Sequence, residues 1–377
     1  MPNLSKSIMP ININKKIRIF QPRVPEYRVA LLDGLARLYG DAVEIVASPE
    51  TRGGTSVPLS SMHYDFNHRY CYIGPFVWQC GLSLAGLTRG DVIVICGDAR
   101  ELSSMLIAYR ARRWGIKVIW WGHHKTSTSK EYRIRIRLWL ARHLSDVVLT
   151  YTQTGVRYFV EHGFDARFVF ATGNTIDQAP IKKAISLFNG SDPYQGRDGL
   201  LFCSRLQPKV RLDLLIRALC DARLKEVELV VIGDGPMRGE YSALATRCGV
   251  DKRIRWFGAV SSQNIMAPWF IKAKMFVYPG AVGLSILHAM SYGLPVVVHG
   301  NAAHQMPEYE IMEDGKTGLC FKEGNYIDLA DKITTLLRNE RLRFQMGKYC
   351  KEVAYEKYSM GQMIKNYSRA IECCLAK

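Results

Sequence analysis

Residues 275–297, MFVYPGAVGLSILHAMSYGLPVV, read as a buried strand, a glycine-containing turn, a short helix, a glycine stop and a second buried strand. That order places a helix N-terminus at the carboxyl end of a strand. Such a terminus carries unpaired amide N–H groups and a partial positive charge, and so it holds phosphate well. Gly283, just before the helix, lets a ligand come close to the backbone. One reading is a diphosphate seat. The other is an ordinary βαβ turn in which glycine serves packing, and the segment alone leaves both open.

Strand-like and helical segments alternate along the whole chain. In the first half, 17–21, 43–47, 92–96, 117–121, 147–151 and 168–171 read as strands, with helical periodicity over 27–38, 103–114 and 133–144. A polar stretch with glycine and proline, SLFNGSDPYQGRDG (186–199), interrupts the pattern. It then restarts with strands at 200–204, 228–232, 254–257, 275–278, 295–299 and 318–321, followed by a mostly helical tail. Strands alternating with helices imply parallel sheets covered on both faces. A chain of 377 residues exceeds what one core usually serves. The expected fold class is therefore α/β, with two Rossmann-like domains facing a cleft. The first spans 1–188 and the second 198–350, with a C-terminal helix over 351–377 packing back on the first. In open parallel sheets ligands bind beyond the carboxyl ends of the strands.

The formal net charge is +17. Residues 1–185 carry 25 Lys and Arg against 14 Asp and Glu, and the rest 26 against 20, so positive charge favours the first half. It concentrates in AYRARRWGIK (108–117) and KEYRIRIRLWLARHL (130–144). The second segment mixes Arg133, Arg135, Arg137 and Arg142 with Trp139 and aliphatic residues, a composition suited to an anionic lipid surface. The alternative is a scaffold helix with one buried face and snorkelling arginines. Nucleic acid is disfavoured, because no zinc-finger spacing, RNP-like motif or basic low-complexity tail accompanies the charge. The ten cysteines contain no C-x-x-C pair and several lie in apolar runs, which points to a reducing compartment and no zinc site. No secretory leader and no run of about 18 apolar residues is evident. The expected location is cytoplasmic, peripheral at the inner face of the plasma membrane.

The segment at 275–297 also resembles the signature of family-4-type retaining glycosyltransferases, which use nucleotide sugars and have the GT-B fold. Their pattern is P-S-x-x-E-G-F-G-L-x-x-L-E-A-M-A-x-G-x-P-V-V. Gly283, Leu284, Leu287, Ala289, Met290, Gly293, Pro295, Val296 and Val297 match it, with Pro279 just before the first acidic position. Gly280 and His288 stand where the two glutamates are expected, so the chain is similar to a variant branch. Further landmarks follow in family order. FCSRLQPKVRLDLLIRAL (202–219) resembles a strand followed by G-R-L-x-x-x-K-G, with Arg205 and Leu206 matching, Val210 in the lysine slot and Lys209 before it. VVIGDGP (230–236), RIRWFGAVSS (253–262) and MPEYEIMEDGKTGLCF (306–321) resemble further family segments. The resemblance is firm over 200–340 and loose over 1–185.

The resemblance implies roles for particular residues. Arg205 and Lys209 would face the donor diphosphate. Val282, Gly283, Leu284, Ser285 and His288 would line the donor, with Gly235 and Glu310. In WWGHHKTSTSK (120–130) the loop histidine His123 would lie near the transferred sugar, with His124 beside it on the acceptor or phosphate side. Arg28, in the first strand–loop–helix, is a candidate phosphate contact. GNTID (173–177) resembles the family's closing segment of the first half and reads as structural, at the hinge.

The expected function is therefore transfer of a sugar from a UDP- or GDP-sugar to a growing, lipid-linked bacterial surface glycan, of lipopolysaccharide, O-antigen or capsule type. The resemblance implies retention of anomeric configuration, no cofactor and no obligatory metal. A GT-B nucleotide-sugar epimerase and a non-catalytic partner subunit are the rival readings.

Overall fold

The computed structural model describes residues 11, 13–52, 54–59, 64–123, 131–188 and 198–377. They form two units: the chain up to Asn174 together with Met360–Lys377, and Thr175–Ser359. The division falls within GNTID rather than in the polar stretch at 186–199. The reason is local, since the helix between them packs against a helix of the second unit.

The first unit opens with β1 (Ile17–Gln21), α1 (Glu26–Tyr39) and β2 (Val43–Ala47). Three short strands follow, β3 (Glu50–Thr51), β4 (Gly54–Thr55) and β5 (Tyr64–Asp65), and then a hairpin of β6 (Tyr70–Ile73) and β7 (Phe76–Gln79). The alternation resumes with β8 (Val92–Cys96), α2 (Leu102–Arg113), β9 (Lys117–Trp121), α3 (Glu131–Leu144), β10 (Val147–Thr150), α4 (Gln153–Glu161) and β11 (Val169–Ala171). The main sheet has the order β11-β10-β9-β8-β1-β2-β5 and its pairs are parallel. Near-continuous apolar runs such as VVLT in β10 are buried throughout, as a sheet covered on both faces requires. The inner residues of α2, α3 and α4, among them Ala108, Ala141 and Phe159, share one core with Ile93, Val118 and Val148. The other face is covered by α1 and by the last helix, through Leu31, Leu35, Met363, Tyr367 and Ile371.

The second unit begins with α5 (Ala179–Leu187) and β12 (Leu200–Cys203), followed by α6 (Leu212–Ala218), β13 (Leu229–Ile232), α7 (Arg238–Arg247) and β14 (Ile254–Trp256). It continues through α8 (Gln263–Lys272), β15 (Met275–Tyr278), α9 (Ser285–Ser291), β16 (Val296–His299), β17 (Gly318–Phe321), α10 (Tyr326–Arg338) and α11 (Glu340–Glu352). Its sheet has the order β14-β13-β12-β15-β16-β17, again with parallel pairs. The strands β15 and β16 are wholly buried. Asn325 caps α10 by accepting from the amides of Ile327 and Asp328 at 3.0 and 3.1 Å.

The C-terminal helix α12 (Met360–Ala376) belongs to the first unit. Its buried residues Met363, Ile364, Tyr367, Ala370, Ile371 and Cys374 fall on one helical stripe. Tyr367 meets Trp121 edge-on at 5.1 Å.

Candidate functional site

In the second sheet the chain runs outward from β12 through β13 to β14, then returns to β15 on the other side of β12. The order reverses between β12 and β15. Loops that diverge at such a point leave a crevice beyond the strand ends, where ligands of open α/β sheets bind. The two loops here are 204–211, after β12, and 279–284, after β15.

These loops are fastened to each other. The amide of Ala281 donates to the carbonyl of Lys209 at 3.2 Å, and a Cβ at Gly280 would stand 2.0 Å from the same oxygen. The loop after β13 joins them: Leu206 donates to the carbonyl of Asp234 at 2.9 Å, and a Cβ at Gly235 would lie 2.4 Å from the carbonyl of Leu206. From the other side Gln305 accepts from the amide of Val282 at 2.7 Å and donates to the carbonyl of His299 at 2.8 Å. A substituent on any of these glycines would force the loops apart. Gly235, expected to touch the donor, thus also holds the β12 loop in place.

Arg205 and Lys209 are both exposed, and neither side chain has a hydrogen-bond or ion-pair partner among the described residues. Val210, in the lysine slot, is fully buried in the core. Arg211 follows with left-handed backbone, φ 50°, at the position where the resembled pattern has glycine. The register of the loop is therefore kept, and Lys209 is the residue that turns outward.

Val282 is buried, whereas Gly283, Leu284 and Ser285 are partly exposed at the start of α9. Among the described residues none of the last three amides meets an acceptor. Gly283 lies near the carboxylate of Glu308, whose Oε2 is 3.9 Å from where a Cβ would be. Glu310, the residue singled out by spacing, lies near Tyr358, whose phenol is pushed up to about 12 by burial first and by this carboxylate second. Glu308 was not distinguished from sequence, because both acids occupy one short turn, Pro307–Ile311.

His288 sits one turn into α9 and is only partly exposed. Its ring lies 4.4 Å from Phe270 and 5.7 Å from Tyr292. Its Nε2 meets Gln263 Oε1 at 3.0 Å, and the same oxygen accepts from the Tyr292 hydroxyl at 3.0 Å. Burial lowers the imidazole pKa to about 4, so the ring is neutral at physiological pH. With Oε1 as acceptor, Nε2 carries the proton and Nδ1 is left as the acceptor. Gln263 is a positioning residue that carries no motif of its own.

In the first unit the order reverses between β1 and β8. Arg28, in the first turn of α1, donates to Gln21 Oε1 and to the Tyr151 hydroxyl, the latter at 2.6 Å. Its guanidinium lies 4.4 Å from the Trp121 ring. The His123 ring stands 4.4 Å from that of Tyr151. The structure thus brings both Arg28 and His123 against Tyr151, at the carboxyl ends of β1, β9 and β10. His124 lies outside the described residues. Beyond β8, Glu101 accepts from the Tyr70 hydroxyl and is buried, which raises its pKa to about 7.

A family model described as "Glycosyl transferases group 1" matches residues 185–353. That span contains the fastened loops, Arg205, Lys209 and the whole of α9. The match lies almost wholly within the second unit, which is similar to group 1 glycosyl transferases.

Curated relatives align over part of the chain. The sulfoquinovosyl transferase SQD2 of Arabidopsis thaliana is 32% identical over 149 residues, which is 38% of this chain and 27% of that protein. A poly(ribitol-phosphate) alpha-N-acetylglucosaminyltransferase of Staphylococcus aureus is 24% identical over 224 residues, 59% of this chain and 42% of that protein. The chain thus spans less than half of the length of these curated relatives. Solved structures align over nearly all of it. HepE of Anabaena, in complex with UDP, superposes with a TM-score of 0.69 at 16% identity, covering 95% of this chain and 99% of that one. TarM superposes with a TM-score of 0.67 at 13% identity, covering 95% and 99%. The fold is GT-B, with two Rossmann-like units.

Proposed function

We propose that the chain is a retaining hexosyltransferase that takes a sugar from a nucleoside diphosphate donor to a lipid-linked bacterial surface glycan, at the inner face of the plasma membrane. The observation that carries this reading is the pair of exposed cations, Arg205 and Lys209, unpartnered among the described residues, on one loop of the β12/β15 reversal. The partner loop is fastened to it through Gly280 and offers the free amides of 283–285. A doubly charged leaving group suits that arrangement. The group 1 family match over 185–353 and a neighbouring fold solved with UDP support a nucleotide ligand.

In the transfer, the bond from the anomeric carbon to the donor phosphate oxygen breaks and its electron pair leaves with the diphosphate. A bond from the same carbon to the acceptor oxygen forms, and the acceptor proton goes to the departing phosphate. Fixed positive groups at the diphosphate stabilise charge that grows along this path. The remaining task is to hold two substrates in register. His288 Nδ1 would accept from a ribose hydroxyl, Glu308 and Glu310 would lie on the donor side, and Arg28 with His123 would hold an anionic or hydroxylated part of the acceptor.

The test is incubation of the purified chain with a panel of UDP- and GDP-sugars. Slow release of nucleoside diphosphate from one of them is expected. Conversion of the sugar without release of the nucleotide would show an epimerase. No turnover of any donor, alone or with lipid-linked acceptors, would contradict the enzyme reading.

A further inference from the structure

The helices α2, α3 and α4 bury their inner faces in one core against one side of the first sheet. Their outer faces therefore form a single layer surface. Six large apolar or aromatic side chains stand out on the α2 and α3 part of it. Leu106 is 37% exposed, Tyr109 51%, Trp114 61%, Tyr132 53%, Ile136 49% and Trp139 59%. Such a group of exposed side chains on one surface marks an interaction site.

The charges between them have one sign. Arg110, Arg113, Arg133 and Arg135 are exposed, and none is in an ion pair among the described residues. Arg113 leans on Tyr109 with 5.9 Å between guanidinium and ring, and Arg133 on Tyr132 at 5.7 Å. The remaining arginines of the two helices are committed elsewhere. Arg112 pairs with Asp146 at 3.1 Å, Arg137 is partly buried beside Asp98, and Arg142 reaches the carbonyl of His162. The basic stripe expected over 133–137 is thereby reduced to Arg133 and Arg135, and α2 supplies the other half. The acidic residue of α2 and α3 is Glu131, at the start of α3.

We infer that the outer surface of α2 and α3 docks on an anionic lipid bilayer, with Trp114 and Trp139 seated at headgroup depth and the four arginines on the lipid phosphates. Tryptophan and tyrosine favour the membrane–water interface, and each cation near an anionic surface adds about 1 kcal/mol, a factor of about five in affinity. The inference rests on the proposed lipid-linked acceptor and gives it an attachment surface on this chain.

The test is cosedimentation of the full chain with phosphatidylcholine vesicles, with and without phosphatidylglycerol. Binding is expected to the anionic vesicles only, to weaken with added salt, and to bring a blue shift of tryptophan emission. Trp114→Ala with Trp139→Ala should abolish the blue shift and weaken binding at unchanged charge. Replacing Arg110, Arg113, Arg133 and Arg135 by glutamine should cost about fivefold for each residue. These are exposed positions, so both variants should keep the parent's circular dichroism and its nucleotide affinity. Equal binding to neutral vesicles, no binding to either kind, or binding indifferent to both sets of changes would overturn the inference. Donor turnover measured without vesicles reports on the transferase reading separately.

Discussion

The α-carbon of Gly280 faces the carbonyl oxygen of Lys209 so closely that a Cβ there would stand 2.0 Å from it. This contact explains why the first acidic position of the resembled signature is glycine here. No side chain fits unless the two loops that meet at the β12/β15 reversal part. Gly280→Ala should weaken binding of nucleoside diphosphate strongly, while the buried strands on either side keep the domain folded. Gly280→Glu should do the same rather than raise activity. Calorimetric titration with UDP and GDP, beside circular dichroism, would check both. An alanine variant with unchanged nucleotide affinity would show that the fastening does not matter.

Arg205 is exposed and has no partner among the described residues, so its removal should not disturb the fold. Losing one group that stabilises charge in a transition state costs about 3 kcal/mol, on the order of a hundredfold in rate. Arg205→Ala should therefore lower kcat by about that factor with an unchanged melting temperature. Near-normal turnover would remove Arg205 from the site.

His288 should act as a neutral acceptor. His288→Ala is expected to raise the donor KM by about tenfold, for one hydrogen bond of about 1.5 kcal/mol. Gln263→Ala should give part of that effect, because it frees the ring from the orientation that turns Nδ1 outward. Steady-state kinetics on the two variants and their double mutant would test the coupling. Additive effects would mean that Gln263 does not position the ring.

Two buried groups should give the units opposite responses to pH. Burial holds the Glu101 carboxyl up at about 7 against an ordinary 4.5, so the folded first unit keeps a proton that the unfolded chain has lost. Its stability is fully present below pH 4.5 and is lost as pH rises through about 7. Burial holds the His288 imidazole at about 4 against 6.5, so the unfolded chain takes up its proton first. The second unit's stability is present above pH 6.5 and is lost as pH falls towards 4. Glu101→Gln should stabilise the first unit at pH above 7 by up to about 3 kcal/mol and flatten its pH dependence. Denaturant unfolding followed by hydrogen exchange in each unit would show it. A variant with the parent's pH slope would contradict the cause assigned.

What was legible in the chain and what was not divides along physical lines. The strands β10, β15 and β16 are uninterrupted apolar runs buried on both sides, and their type and place could be read directly. The β6–β7 hairpin could not, because it exposes Ile73 and Phe76 while it buries Gln79, so its apolar pattern does not follow its burial. Loop cations at strand ends were visible as motif residues, but the outward turn of Lys209 depends on Val210 being drawn into the core. Glu308 and Glu310 lie two residues apart in one turn, and spacing cannot say which of them faces Gly283. Gln263 belongs to no motif, since its link to His288 crosses 25 residues and exists only once α8 and α9 pack together. Arg137 looked like a surface cation until the fold placed Asp98 next to it.

The central claim is that the loops at the β12/β15 reversal seat a nucleoside diphosphate through Arg205, Lys209 and the amides of 283–285. The most direct measurement is the affinity of the purified chain for UDP and GDP, compared with that of the Arg205→Ala, Lys209→Ala double variant. The account predicts saturable binding of at least one nucleotide by the parent and a loss on the order of a hundredfold in the variant, at about 1.5 kcal/mol for each charged contact. Equal affinities in the two proteins, or no binding of either nucleotide by a correctly folded parent, would contradict it.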